Sequence, residues 1–120
     1  GESIYIERIA INMMDASSPD NDGYHPQERT IVDEGEAAYF SNLPVKTLRD
    51  ALLHRGIPAR VANSAGLYVC NSTYYNALNE IYDQGLSTKA LFIHLPIISE
   101  DFPIEMLTDA ILAIIETIIH

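Results

Sequence analysis

Residues 4–12 (IYIERIAIN) alternate branched apolar residues with others, the two-residue period of a strand. The stretch 15–35 loses that period. It holds Ser-Ser-Pro-Asp-Asn-Asp-Gly, then Pro26 and mixed charges, and reads as a long loop with room for a short strand at 30–32. Loops of that length inside a compact domain are often functional. Ser41 or Asn42 can cap a helix with Pro44 in its first turn, and Val45, Leu48, Ala51 and Leu52 then fall on one apolar face. His54 and Arg55 suit the negative helix end, and Gly56 supplies the stop. A second strand is expected over 57–63, followed by the small-residue turn Ser64-Ala65-Gly66.

Helical spacing returns over 71–84, with Tyr74, Leu78, Ile81 and Tyr82 on one side and Gly85 as terminator. Residues 89–95 (KALFIHL) form a more uniformly apolar third strand, expected at the centre of the sheet and ended by Pro96. A last helix starts near Pro103 and is expected to bury Ile104, Leu107, Ile111, Ile114, Ile115 and Ile118. Strands alternating with helices predict an α/β domain with a largely parallel sheet. At 120 residues the chain fits one domain, 1–120, long enough to bury a core.

Charge and cysteine count narrow the function classes. A net charge of −10 with only seven Lys and Arg residues argues against nucleic-acid binding, which needs a clustered basic surface. One cysteine excludes an intramolecular disulfide framework and leaves a free thiol to explain. The first dozen residues lack the basic-then-apolar order of a signal peptide. The longest apolar candidate, 104–119, is interrupted by Glu105, Thr108, Asp109, Glu116 and Thr117, so no membrane span is expected. The expected setting is cytoplasmic.

Sheets of this kind bind ligands where strands end and loops enter helices. Cys70 sits where a Gly-containing loop enters a helix, whose first turn offers partial positive charge and free N–H donors to a thiolate. His94 lies near the end of the third strand, and Glu7 lies in the first. A thiol nucleophile needs a base, and the base gains from a third group that fixes its tautomer. Backbone N–H groups at the helix start could then hold an oxyanion. By residue type alone the bland reading leads: a lone cysteine is more often a small core residue, and a strand histidine more often structural. His25, His54 and His120 fit as loop, helix-end and terminal residues.

Three local sequences shift that balance. Glu7-Arg8-Ile9-Ala10-Ile11-Asn12 resembles the segment around the catalytic glutamate of pyroglutamyl peptidase I (pyrrolidone-carboxylate peptidase). Residues 64–71 (SAGLYVCN) resemble the segment around that family's catalytic cysteine, and residues 92–96 (FIHLP) the segment around its histidine. The separations fit as well, 70 − 7 = 63 positions from Glu to Cys and 94 − 70 = 24 from Cys to His. Asp15-Ala16 with Pro19-Asp20-Asn21, and residues 37–41 before Leu43-Pro44, are further matches.

The resemblance implies a three-layer α/β/α sandwich and hydrolysis of an N-terminal pyroglutamyl (5-oxoproline) group from peptides. In that scheme Cys70 is nucleophile, His94 base and Glu7 orienter, and the acyl-enzyme is a thioester. It implies no metal or organic cofactor, a homo-oligomer, and Tyr68 and Val69 as walls of the lactam pocket. Family members are longer, with an N-terminal region and its strands that this chain lacks. Ser17 and Ser18 stand where the family has an arginine and a branched apolar residue, Ala62 where it has a serine, and Tyr5 where it has a serine or threonine. The alternative reading is therefore a truncated, catalytically weak or inactive relative that acts as a scaffold or assembly subunit. In either case a sheet edge and some apolar helix surface are expected to lie uncovered. Metal binding through Cys70, His94 and a carboxylate lacks the spacing of structural zinc.

Overall fold

The computed structural model describes residues 2–15, 22–67 and 69–119, and in it the first apolar stretch forms two strands. β1 (Ile4–Glu7) and β2 (Ile9–Ile11) are separated by Arg8. The Arg8 N–H donates to the Ala62 carbonyl (2.8 Å), and its carbonyl accepts from the Ser41 N–H (2.8 Å). With its peptide groups engaged by two different neighbours, the chain leaves one sheet at Arg8 and enters another.

The remaining elements are β3 (Ala38–Phe40), α1 (Val45–His54), β4 (Ala59–Ala62), α2 (Val69–Asp83), β5 (Phe92–His94) and α3 (Ile104–Ile119). The larger sheet has the order β4-β1-β5, and β2 pairs with β3 in a second, antiparallel sheet. β1 and β4 run parallel, with Ile4 opposite Ala59. β5 runs antiparallel to β1, with Tyr5 opposite His94 and Glu7 opposite Phe92. Among the described strands the sheet is thus mixed rather than largely parallel, and the apolar third strand lies at its edge, with β1 in the centre.

The cause is the return path after α2. Gly85, at φ 61°, lets that helix end with the Leu86 N–H on the Ile81 carbonyl. The chain then runs along residues 41 and 42, where Asn42 bonds the Thr88 carbonyl (3.0 Å) and the Ala90 N–H (3.0 Å). The Ser41 hydroxyl donates to the Ala90 carbonyl (2.9 Å). The chain so enters β5 from the Glu7 end of β1. These bonds also occupy the two residues expected to cap α1, which instead starts after Pro44 without a side-chain cap.

Three layers follow from the alternation of side chains across β1. Ile4 and Ile6 face α1 and α3, packing with Leu48, Leu52, Leu107 and Ile114. Burial of each such side chain is worth about 1.5–3 kcal/mol, so this layer is the main apolar core. On the opposite face α2 presents Tyr74, Tyr75 and Leu78 to Ala10, Tyr39 and Phe92. The loop before β3 is closed by Asn12, whose Oδ1 accepts from the Ile31 and Val32 N–H groups (2.7 and 2.9 Å). At 30–32 no strand forms, and the loop's one described ladder contact is the Met14–Arg29 bridge.

α3 is apolar on nearly every side, so its sequence period does not select one face. Leu107, Ala110, Ala113 and Ile114 turn inward, whereas Ile104, Ile115 and Ile118, expected in the core, are exposed. Tyr82 of α2 is exposed too. Beyond β5, Leu95, Ile97 and Ile98 are open to solvent, Ile97 at 83%. Uncovered apolar side chains, anticipated from the sequence, are present after β5 and on α3. No described helix is long and apolar enough to cross a membrane.

Candidate active site

Glu7 ends β1 on the side of the sheet that faces α2, and it is 2% exposed. Its Oε1 lies 3.0 Å from His94 Nδ1. The two residues are diagonal neighbours across the β1–β5 pair, a spacing that two long side chains can bridge. A carboxylate only accepts hydrogen bonds, so Nδ1 donates to it, and in the neutral imidazole this leaves the lone pair on Nε2. The His94 side chain is 40% exposed, which leaves that second nitrogen within reach of a ligand. It borders an open groove of about 320 Å³ lined by Tyr5, Leu95, Pro96 and Ile97. The second Glu7 oxygen, Oε2, is buried without a partner among the described residues.

Aromatic rings back this pair. Phe92 lies against His94, with ring centroids 5.0 Å apart, and Tyr74 of α2 lies against Phe92 at 5.9 Å. The Tyr74 hydroxyl donates to the Glu7 backbone carbonyl at 2.9 Å. Burial, the largest influence on Tyr74, pushes its phenol above the ordinary value, which keeps it a neutral donor.

Cys70 is the second residue of α2, partly exposed and the chain's one thiol. The helix begins at Val69, two residues earlier than its apolar spacing indicates, so the thiol belongs to the first helical turn. The preceding turn is tight: Gly66 sits at φ 83°, and its N–H donates to Ser64 Oγ (3.1 Å). The Asp15 N–H donates to the Leu67 carbonyl (2.7 Å), which lays the segment leaving β2 beside the thiol's own loop. Val69, expected to wall a pocket, is 63% exposed. Tyr68, Ser17 and Ser18 lie outside the described residues, as do Ala16, Asp20 and Asn21.

The structure thus brings Glu7 and His94 into direct contact and sets the helix that carries Cys70 on the same side of the sheet. Two contributors were missed from the sequence, Asn71 and the hydroxyl of Tyr74. The available signal was spacing. Asn71 precedes Tyr74 and Leu78 by three and seven residues and so shares their buried face, where a polar side chain demands partners. Chemically, a carboxylate-oriented imidazole can act as a base, and a thiol at a helix start is the kind of nucleophile such a base serves.

Comparison with known proteins bears on the family and the fold. The family model described as pyroglutamyl peptidase matches residues 1–118. The pyrrolidone-carboxylate peptidase of Thermococcus kodakarensis is 48% identical over 94 residues, covering 78% of this chain and 46% of that protein. The pyrrolidone-carboxylate peptidase of Streptococcus suis is 49% identical over 94 residues, covering 78% of this chain and 44% of its own length. The chain therefore spans about half the length of these relatives. The crystal structure of pyrrolidone carboxyl peptidase from the hyperthermophile Pyrococcus furiosus superposes with a TM-score of 0.91 at 37% identity, covering 99% of this chain and 64% of that one. On the strength of that match along nearly its whole length, the chain belongs to the pyroglutamyl peptidase family.

Proposed function

We propose that this chain bears the hydrolytic centre of a cysteine-type omega-peptidase that removes an N-terminal pyroglutamyl group from peptides. In this reading Cys70 is the nucleophile. His94 takes its proton through Nε2 while Glu7 holds Nδ1, and the thiolate attacks the pyroglutamyl carbonyl carbon. The tetrahedral oxyanion is held by N–H groups at the start of α2. Collapse expels the peptide amine, protonated by His94, and leaves a thioester that water hydrolyses with His94 again as base. Val69 and Tyr68 border the lactam ring.

The observation that carries the reading is the 3.0 Å contact between His94 Nδ1 and a carboxylate that is 2% exposed. A buried carboxylate on the central strand needs a polar partner, and one that meets Nδ1 of a half-exposed imidazole orients a base well. Alkylation of Cys70 by iodoacetamide, followed with and without a pyroglutamyl peptide, tests the assignment. Labelling faster than that of a small-molecule thiol near neutral pH, slowed by the peptide, is the expected result. Slow labelling that the peptide does not change contradicts it.

A second reading is favoured by a different observation, the exposed apolar side chains of Leu95, Ile97 and Ile98 after β5 and of Ile104, Ile115 and Ile118 on α3. Such a surface suits a subunit that works covered by further protein, with catalysis weak or absent in the isolated chain. Activity gained only upon association separates this reading from the first.

A further inference from the structure

Asn71 directly follows Cys70 and is 1% exposed, so every polar atom of its amide needs a partner. Its Oδ1 accepts from the Ile11 N–H at 3.0 Å. Its Nδ2 donates to the Ile11 carbonyl at 2.8 Å and to the Met13 carbonyl at 3.2 Å. Both peptide groups of Ile11 thus meet one side chain, as they would meet a neighbouring strand. An apolar residue at this position would leave the Ile11 N–H and the Met13 carbonyl without this partner, and the Ile11 carbonyl with the Met13 N–H (2.9 Å) in its place.

We infer that Asn71 is a positioning residue, whose amide fixes the first turn of α2, and with it Cys70, on the backbone that leads away from Glu7. This rests on the proposal that Cys70 is the nucleophile. The path is short and stiff. Glu7 continues through Arg8 into β2, Ile11 ends β2, and Asn71 joins Ile11 to the residue after the thiol. Tyr74, one helical turn along, makes the second attachment through the Glu7 carbonyl. The helix start is therefore referenced to the strand that carries the orienting carboxylate. Misplacement of a reacting group by about 1 Å can cost on the order of 10²-fold in rate.

The test uses the full chain and its one thiol, tagged with a trifluoroethylthio group for fluorine NMR. Asn71→Ala, folded by circular dichroism, is expected to move the Cys70 fluorine signal toward its unfolded position or split it. Leu48→Ala, a destabilising change in the opposite core layer, is expected to leave the signal in place. In hydrolysis of a pyroglutamyl amide, Asn71→Ala is expected to lower kcat about 10²-fold and leave KM within about twofold. Should the alanine variant not fold, the near-isosteric Asn71→Asp keeps the accepted bond, loses both donated ones, and is read by the same fluorine signal. An unchanged signal in a folded Asn71 variant overturns the inference. A wild-type chain that does not hydrolyse the amide counts against the proposed function alone, because the fluorine signal still decides whether Asn71 places the thiol.

Discussion

His94 and Glu7 meet on the α2 side of the sheet through Nδ1 and Oε1, 3.0 Å apart, although neither is the other's direct partner in the strand register. Their contact depends on β5 running antiparallel to β1, which sets His94 opposite Tyr5 and one diagonal from Glu7. If this pair orients the base, Glu7→Gln should preserve the fold and impair catalysis. The amide can present its NH₂ to Nδ1 and select the wrong tautomer, so kcat should fall about 10²–10⁴-fold with little change in KM. Steady-state kinetics on the folded variant checks this; an equal rise in KM with kcat intact would assign Glu7 to substrate binding instead.

Tyr74→Phe deletes the bond to the Glu7 carbonyl while keeping the ring against Phe92. It should cost about 1 kcal/mol of stability near neutral pH, read by urea denaturation. The Tyr74 phenol is raised by burial, so the folded chain retains a proton that the unfolded chain releases near its ordinary value of 10.0. This contribution is fully present below pH 10 and is lost as pH rises through the folded value. The gap between wild type and Tyr74→Phe should therefore shrink on the alkaline side. Tyr39 and Tyr75 are also raised, chiefly by burial, but remain in both proteins and cancel in the comparison.

Much of this arrangement was legible in the sequence where a local rule decided it. Gly56 and Gly85 mark the helix ends through positive φ, and the three local sequences around Glu7, Cys70 and His94 identify the family. Non-local bonds decided the rest. The break at Arg8 depends on Ala62 and Ser41, far along the chain, and the edge position of β5 depends on Asn42 and Ser41 holding residues 88–90. α3 misled because isoleucine surrounds it, leaving the face to be chosen by what α1 offers. Asn71 was passed over because its value lies in the Ile11 backbone, which no helical period reports.

Gly35 should resist substitution. A Cβ there would lie 2.8 Å from the Tyr75 hydroxyl and 3.1 Å from Val32 Cβ, and that hydroxyl is already committed to the Glu36 carbonyl at 2.6 Å. Gly35→Ala should cost about 1–3 kcal/mol through overpacking, seen as a lower denaturation midpoint with an unchanged m-value. A neutral outcome would mean that Tyr75 yields easily and that the loop is not braced by it.

The exposed apolar side chains after β5 and on α3 have a consequence in solution. The chain should self-associate or bind an apolar dye, and Ile97→Lys with Ile118→Lys should reduce both. Size-exclusion chromatography coupled to light scattering gives the answer; a stable monomer that binds no dye would show that this surface needs no cover.

Hydrolysis of a fluorogenic pyroglutamyl amide by the purified chain, beside Cys70→Ser, shows whether Cys70 is the nucleophile. Serine keeps the size and removes the thiolate. With Cys70 as nucleophile, the wild type releases the fluorophore and the folded variant does not. Release that persists in Cys70→Ser, or no release from the wild type under any state of association, would contradict Cys70 as the nucleophile of a pyroglutamyl peptidase in this chain.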